Sequence, residues 1–270
     1  MNKLIKAISL LTLAALISLL MVNCSKSDAN SNPITGDATI ENTNIEKALS
    51  FDSGIDGTES IEDIIECIYE CVNSMPVEDL NDGEIETLEY MREEEFLARD
   101  VYIKMYELYN IPVFNNISNS EMIHSTAMQA LLEKYNLPDP GVDHEIGIFE
   151  NEEIQALYDA LVEQGSASLQ EAIIVGATIE DLDIADLIDH IENDVDNQDI
   201  GYALSQLLRG SRNHMRAFGA HLAFHELTYT PQFISQEMYD QIVATGWEVG
   251  NGFCVCQCEL KKDDSERITE

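Results

Sequence analysis

Apolar residues recur at intervals of three and four along most of the chain, and no stretch alternates apolar and polar positions over a useful length. The expected fold class is therefore all-α. A first helix should be capped by Thr58 or Ser60 and carry Ile61, Ile64, Ile65, Ile68 and Val72, with Pro76 and Asp82-Gly83 closing that stretch. From Glu84 to Tyr109 one long stripe runs through Ile85, Leu88, Met91, Glu95, Ala98, Tyr102, Met105 and Leu108, and Glu95 interrupts its apolar character. Asn110 is expected to cap the next helix, with Pro112 in its first turn and the end near Tyr135, before Pro138-Asp139-Pro140-Gly141. A shorter helix is expected over 151–164. A third long one should run from near Ser166 to Val195, a fourth from Ile200 to about His225, and a short one over 235–245. Four long helices joined as two hairpins is the grammar of an antiparallel bundle.

The first residues change the picture of where this bundle works. Met1, Asn2, Lys3 and Lys6 precede an apolar run from Ala7 to Val22, followed by Cys24. That is the layout of a secretory signal, and the run is short for a comfortable membrane span. Cys24 directly after it points to a lipid-modified cysteine, with plain secretion as the alternative; Met21 fits the usual leucine-like position loosely and Asn23 fits the small-residue position poorly. The expected organisation is a signal peptide over 1–23, a polar linker over 24–57 and an accessory helix over 58–82. The bundle follows over 83–226 and a C-terminal extension over 227–270. The expected location is the cell envelope, with the membrane met through the lipid anchor.

Charge narrows the partners. There are 51 acids against 14 bases, a formal net charge of -37. Such a field repels nucleic acid and anionic lipid and draws in cations. Hydrophobic residues make up 45% of the chain, enough for a packed core, so acidity here does not argue for disorder.

Buried charge is costly unless paired or metal-bound, so acids and histidines on inward faces carry the functional signal. Glu121-Met-Ile-His124 puts a carboxylate and an imidazole on one helical face. Glu95 lies about fourteen residues before the first hairpin turn, and Glu121 and His124 about ten to fourteen after it. At a rise of about 1.5 Å per residue they meet at similar heights. In the second hairpin Glu180 lies about sixteen residues before the turn and His214 about fifteen after it, with Asp183 one helical turn from Glu180. Each hairpin thus offers an acid on one helix and a histidine on the other; coincidence in so acidic a chain is the competing explanation. Arg99, Arg212 and Arg216 are expected to pair with carboxylates, and His144, His190, His221 and His225 to be surface or structural residues. Tyr102 is expected to be a core aromatic near Glu95.

Cys67 and Cys71 are one turn apart, and Cys254, Cys256 and Cys258 alternate. In an oxidising envelope, disulfides from the tail to the first helix would staple both ends onto the bundle. The rival reading is a soft site for copper or zinc. With Cys24 lipidated, one of the remaining five is left over.

Four blocks carry a family resemblance. They are Glu93-Glu94-Glu95 with Leu97 to Tyr102; Ser120-Glu121 with His124; Gly176 to Leu187; and Gly210-Ser211-Arg212-Asn213-His214 with Arg216-Ala217-Phe218. On these, residues 84–225 resemble the ferritin-like superfamily, and more closely the family within it known as domain of unknown function 2202. The resemblance implies a ferritin-like four-helix bundle of two antiparallel hairpins. The additional N-terminal helix and the short cysteine-containing C-terminal extension lie outside it. In rubrerythrin-like members the first and third helices each give a glutamate, and the second and fourth each give Glu-x-x-His. This implies Glu95, Glu121 with His124, Glu180 and His214 as ligands for iron or manganese, one or two ions. Ser211 stands where the fourth helix would offer its bridging glutamate; Asp183 is a candidate to compensate. The implied function is an exported metal-binding protein, as an oxidoreductase acting on oxygen, peroxide or ferrous ion. A storage or scavenging module without turnover and a metal-free structural or interaction domain are the alternatives. The fold alone selects none of them.

Overall fold

The computed structural model of the protein describes residues 61–249 and Phe253. The expected signal peptide, the linker with Cys24, and Cys254, Cys256 and Cys258 lie outside the described residues. Within them the chain is all-helical: α1 (Ile61–Ser74), α2 (Asp82–Tyr109), α3 (Pro112–Lys134), α4 (Glu152–Gly165), α5 (Leu169–Asn193), α6 (Gln198–Phe224) and α7 (Gln236–Ala244). Among the described residues no helix is long and apolar enough to cross a membrane.

Local chemistry explains the boundaries, and it corrects two of the expected ones. Asp82-Gly83 does not close the first stretch but opens α2. Asn81 accepts from the Glu84 amide while the Glu84 carboxylate accepts from the Asn81 amide, a complete capping box. Asn110 does not cap α3. It terminates α2 in the left-handed region at φ 53°, its amide donating to the Tyr106 carbonyl, and Ile111 takes the N-cap position ahead of Pro112. Ser168 and Ser235 cap α5 and α7.

Helix α2 packs along α3, and α5 along α6. The two pairs meet through α3 with α6 and α2 with α5, while α1 lies against α3. Register between α2 and α5 is antiparallel: Thr87 bonds His190 at 2.9 Å, Tyr90 bonds Asp186 at 3.2 Å, and Tyr102 bonds the Gly176 carbonyl at 3.3 Å.

The interior is divided into two apolar regions. One contains Leu97, Val101, Met105, Val113, Ile117, Ile173, Met215 and Phe218; the other contains Ile68, Leu88, Met91, Leu131, Leu187, Ile200 and Leu204. Every long helix passes from one region to the other, and at the crossing each buries polar groups: Glu94 and Glu95 on α2, Glu121 and His124 on α3, Glu180 and Asp183 on α5, Ser211 and His214 on α6. A charged layer enclosed by apolar packing on both sides is expensive.

Elsewhere buried acids serve as anchors. Asp181 accepts from the Tyr229 hydroxyl and from the amides of Gln232, Phe233 and Ile234, fixing the segment that leads into α7. Lys134 donates to the carbonyls of Val72, Met75 and Pro76 and pairs with Asp199 at 2.6 Å, tying the end of α1 to α3 and α6.

Gly176 sets how closely α5 approaches α6. A Cβ at this position would overlap the buried Phe218 ring. Gly176→Ala should therefore lose stability even though alanine is the better helix former by about 1 kcal/mol. An overpacking cost of roughly 1–3 kcal/mol should exceed that gain, read as a lower urea midpoint with an unchanged slope. A midpoint raised by the full propensity gain would show that the ring moves aside freely.

Candidate metal centre

The polar layer is assembled around Glu121. Its Oε2 lies 2.8 Å from His124 Nδ1, and its Oε1 lies 3.0 Å from His214 Nδ1. The spacing of three on α3 places Glu121 and His124 one turn apart on the same face, as the sequence predicts. His214 arrives from α6, its ring stacked with that of His124 at a centroid distance of 5.4 Å. Ligand atoms of Glu121, His124 and His214 all lie within 4.8 Å of one another, and all three side chains are buried. Glu95 from α2 reaches His124 Nδ1 at 3.3 Å, and Glu180 from α5 reaches His214 Nδ1 at 3.4 Å. Five of the six metal-ligand candidates are thus joined in one chain of contacts.

Asp183, the sixth, turns to Ser211, whose hydroxyl donates to one carboxylate oxygen and also reaches the Leu207 carbonyl at 2.9 Å. The other Asp183 oxygen, Oδ1, and Glu95 Oε1 are buried without a hydrogen-bond partner among the described residues. Around the layer, Tyr102 donates to Glu180, and Ser120 bonds His214 Nε2 at 3.0 Å.

A family profile described as an uncharacterized protein domain (DUF2202) matches residues 84–246. The chain belongs to this family. Every candidate ligand of the DUF2202 domain falls inside that range, while α1 and the cysteines lie outside it. The domain is similar to the uncharacterized protein MJ0754 of Methanocaldococcus jannaschii, 48% identical over 183 residues, covering 68% of this chain and 98% of that protein. It is also similar to the crystal structure of the hypothetical protein MJ0754, with a TM-score of 0.63 and coverage of 64% of this chain and 99% of that one.

Electrostatics in the DUF2202 interior follow from burial. Burial raises Glu95 to about 8 against the partial offset of His124. It raises Glu180 to about 7, with His214 offsetting. Glu121 goes the other way: burial pushes it up, but the charges and hydrogen bonds of His214 and His124 together bring it down to about 2. Asp183 is raised by burial and then by Glu95, Glu180 and Glu121. Tyr102 is raised by burial and then by Glu180, so its hydroxyl holds its proton.

The remaining histidines of the DUF2202 domain have other work. His144 stacks on Phe96 at 4.2 Å and bonds Asp100 at 2.8 Å, and His190 lies between Thr87 and Asp194. His221 and His225 stack at 6.4 Å on the far part of α6. The arginines pair as expected: Arg99 with Asp100, and Arg212 and Arg216 with Glu248. Cys67 and Cys71 are both disulfide-bonded, which weighs against the reading of these two as free soft-metal ligands.

Glu94 is not among the candidate ligands read from the sequence, and it is fully part of the layer. The run Glu93-Glu94-Glu95 divides by direction. Glu93 accepts from the amides of Glu150 and Asn151, Glu94 faces α5, and Glu95 faces α3. The signal was present, because Met91, Glu94, Ala98, Val101 and Met105 also follow spacings of three and four and the other four of them are buried apolar residues.

Proposed function

We propose that this protein is a ferritin-like metal-binding protein whose centre is held by Glu121, His124 and His214, with Glu95 and Glu180 as flanking carboxylates. One observation carries the reading: three buried ligand atoms, from two helices, converge within 4.8 Å inside a layer where carboxylate oxygens are left without partners. Buried carboxylates are retained when a cation compensates them, and this one-carboxylate, two-imidazole set with two acids beside it suits Fe(II) or Mn(II). The pairing of the four long helices into two hairpins, with acids and histidines at mid-height, supports the ferritin-like four-helix assignment. Ser211 in place of a glutamate on α6 lowers the anionic ligand count and favours one tightly held ion at this position.

A redox-active ion bound there would supply electron transfer to dioxygen or peroxide. Glu121 is the anion at the centre, and Glu95 and Glu180 hold protons that a cation would displace. Tyr102 and Ser120 orient Glu180 and His214. Placement at the cell envelope, with Cys24 as a lipid anchor, is part of the proposal. The disulfide-bonded state of Cys67 and Cys71 fits an oxidising compartment.

The test is metal content per chain by elemental mass spectrometry, on protein prepared without a histidine tag, before and after anaerobic ferrous loading. Bound iron or manganese should be lost in the double variant Glu121→Ala, His124→Ala while the helical circular dichroism persists. Unchanged metal content in that variant would sink the assignment.

A further inference from the structure

Cys67 and Cys71 lie on the inward face of α1, ahead of the family range, and Cys71 is fully buried in the apolar region that holds Ile68, Leu131 and Ile200. Both are disulfide-bonded, and no other cysteine occurs among the described residues. Helix geometry keeps them from bonding each other. Side chains four apart hold their Cβ atoms about 5–6 Å apart, whereas a disulfide requires roughly 3.5–4.5 Å, and α1 is unbroken from Ile61 to Ser74. Each sulfur therefore reaches a cysteine elsewhere in the sequence. The course of the chain after α7 indicates which. Glu248 pairs with Arg212 and Arg216 on α6 at 2.5 and 2.8 Å, and its amide donates to Asn213 Oδ1. Phe253 is then buried edge-on to Tyr202, ring centroids 6.1 Å apart, in the same apolar region as Cys71. From Asn213 to Tyr202 is about eleven residues, or ~16 Å, back toward the start of α6. That is where α1 ends, because Lys134 joins Asp199 there to the carbonyls of Val72, Met75 and Pro76. Cys254 follows Phe253 directly, with Cys256 and Cys258 after it.

We propose that Cys67 and Cys71 are each bonded to a cysteine of the 254–258 segment, which closes α1 and the C-terminal extension over the bundle as a doubly bridged strap and leaves one tail thiol as a site for thiol modification. The spacings match. Four residues along a helix rise about 6 Å, and two residues along an extended chain span about 6.7 Å. Two neighbouring cysteines of Cys-x-Cys-x-Cys suffice to meet Cys67 and Cys71 side by side, with the third left over. Each bridge forms when two thiols give up two protons and two electrons to a disulfide-carrying oxidant, which leaves as two thiols. Oxidants of this class belong to the compartments that exported chains enter. That one tail thiol stays free rests on the reading of Cys24 as the lipid anchor; the two bridges do not. Neither depends on the metal centre.

The measurement is peptide mapping of the whole exported protein, denatured with N-ethylmaleimide and no reductant, then digested with trypsin. Cleavage after Lys47, Arg92, Arg216 and Lys261 puts Cys67 and Cys71 in one fragment and Cys254, Cys256 and Cys258 in another. The two fragments should travel as one species carrying a single maleimide, on the tail, and should separate only after reduction. Fragments that separate without reductant overturn the strap, and a linked pair carrying three maleimides overturns the double bridge. A third fragment with Cys24 attached to the pair overturns the free thiol and the lipid anchor together, and leaves the two bridges standing. A second measurement reads what the strap holds. Reductant should lower the melting temperature of the chelated parent by roughly 10 °C, because each bridge closes a loop as long as the bundle itself. The double variant Cys67→Ser, Cys71→Ser should melt at that lower value with or without reductant. A parent whose melting temperature ignores reductant would overturn the strap's hold on α1.

Discussion

The metal-free protein should melt at lower temperature at pH 8 than at pH 5, and a bound divalent cation should reverse that trend. The sign follows from the raised acids. Glu95 and Glu180 titrate at about 8 and about 7 in the folded chain, against an ordinary value of 4.5. Below 4.5 both states hold the proton and there is no penalty. As pH rises from there, the unfolded chain releases protons that the folded one retains, and stability falls until the folded groups have titrated. Glu94 and Asp183, also raised by burial, add to the loss in the same direction. Glu121 and Glu248, held low, contribute stability that is already complete above 4.5 and is lost only as pH falls below it, outside this window. At about 1.4 kcal/mol per pKa unit, the total penalty is on the order of several kcal/mol, or roughly 10 °C in a domain of this size. A cation replaces the missing protons, so saturating Mn(II) should raise the melting temperature more at pH 8 than at pH 5. A chelated protein whose melting temperature is flat or rises across this range would show that the layer carries compensation of its own.

Much of this was readable from spacing. The four long helices and, within each hairpin, the level of Glu95 with Glu121 and His124 and of Glu180 with His214 follow from the threes and fours in the apolar pattern and the rise of the helix; that the two hairpins bring His214 to Glu121 was implied only by the family resemblance. What periodicity could not give was the angular detail. In Glu93-Glu94-Glu95 successive residues differ by about 100° around the helix, and stripes drawn through Glu94 and Glu95 fit equally well. Only the direction from which α3 and α5 approach decides that both are inside. The role of Asn110 is ambiguous in the sequence for a related reason. Asparagine serves both as an N-cap and as a left-handed C-cap, and the choice depends on how α2 turns into α3. Asp181 was invisible as an anchor because its partners, at Tyr229 and 232–234, belong to an irregular segment with no pattern to follow.

Replacing Ser211 by glutamate should destabilise the metal-free protein by several kcal/mol, and Mn(II) should recover most of the loss. Ser211 is fully buried on α6, one turn before His214, and supplies the hydrogen bond to one oxygen of Asp183. Ser211→Glu removes that donor and inserts a second carboxylate beside the first. An unpaired buried charge costs on the order of several kcal/mol, and glutamate is also larger than the space serine fills. The same carboxylate creates a Glu-x-x-His spacing on α6 like that of Glu121 and His124 on α3, so it should become a ligand once a cation is present. The expected signature is a melting temperature well below the parent under chelation and close to it with Mn(II). Ser211→Ala separates the two causes, since it removes the donor without adding charge and should lose about 1–3 kcal/mol with little rescue by metal. If Ser211→Glu matched the parent without metal, Asp183 and its neighbours could not be crowded acids. If it failed to recover with Mn(II), no ion would bind within reach of α6. On the expected result, Ser211 is the neutral donor that lets α6 pack against Asp183, which already brings a carboxylate to the same layer from α5.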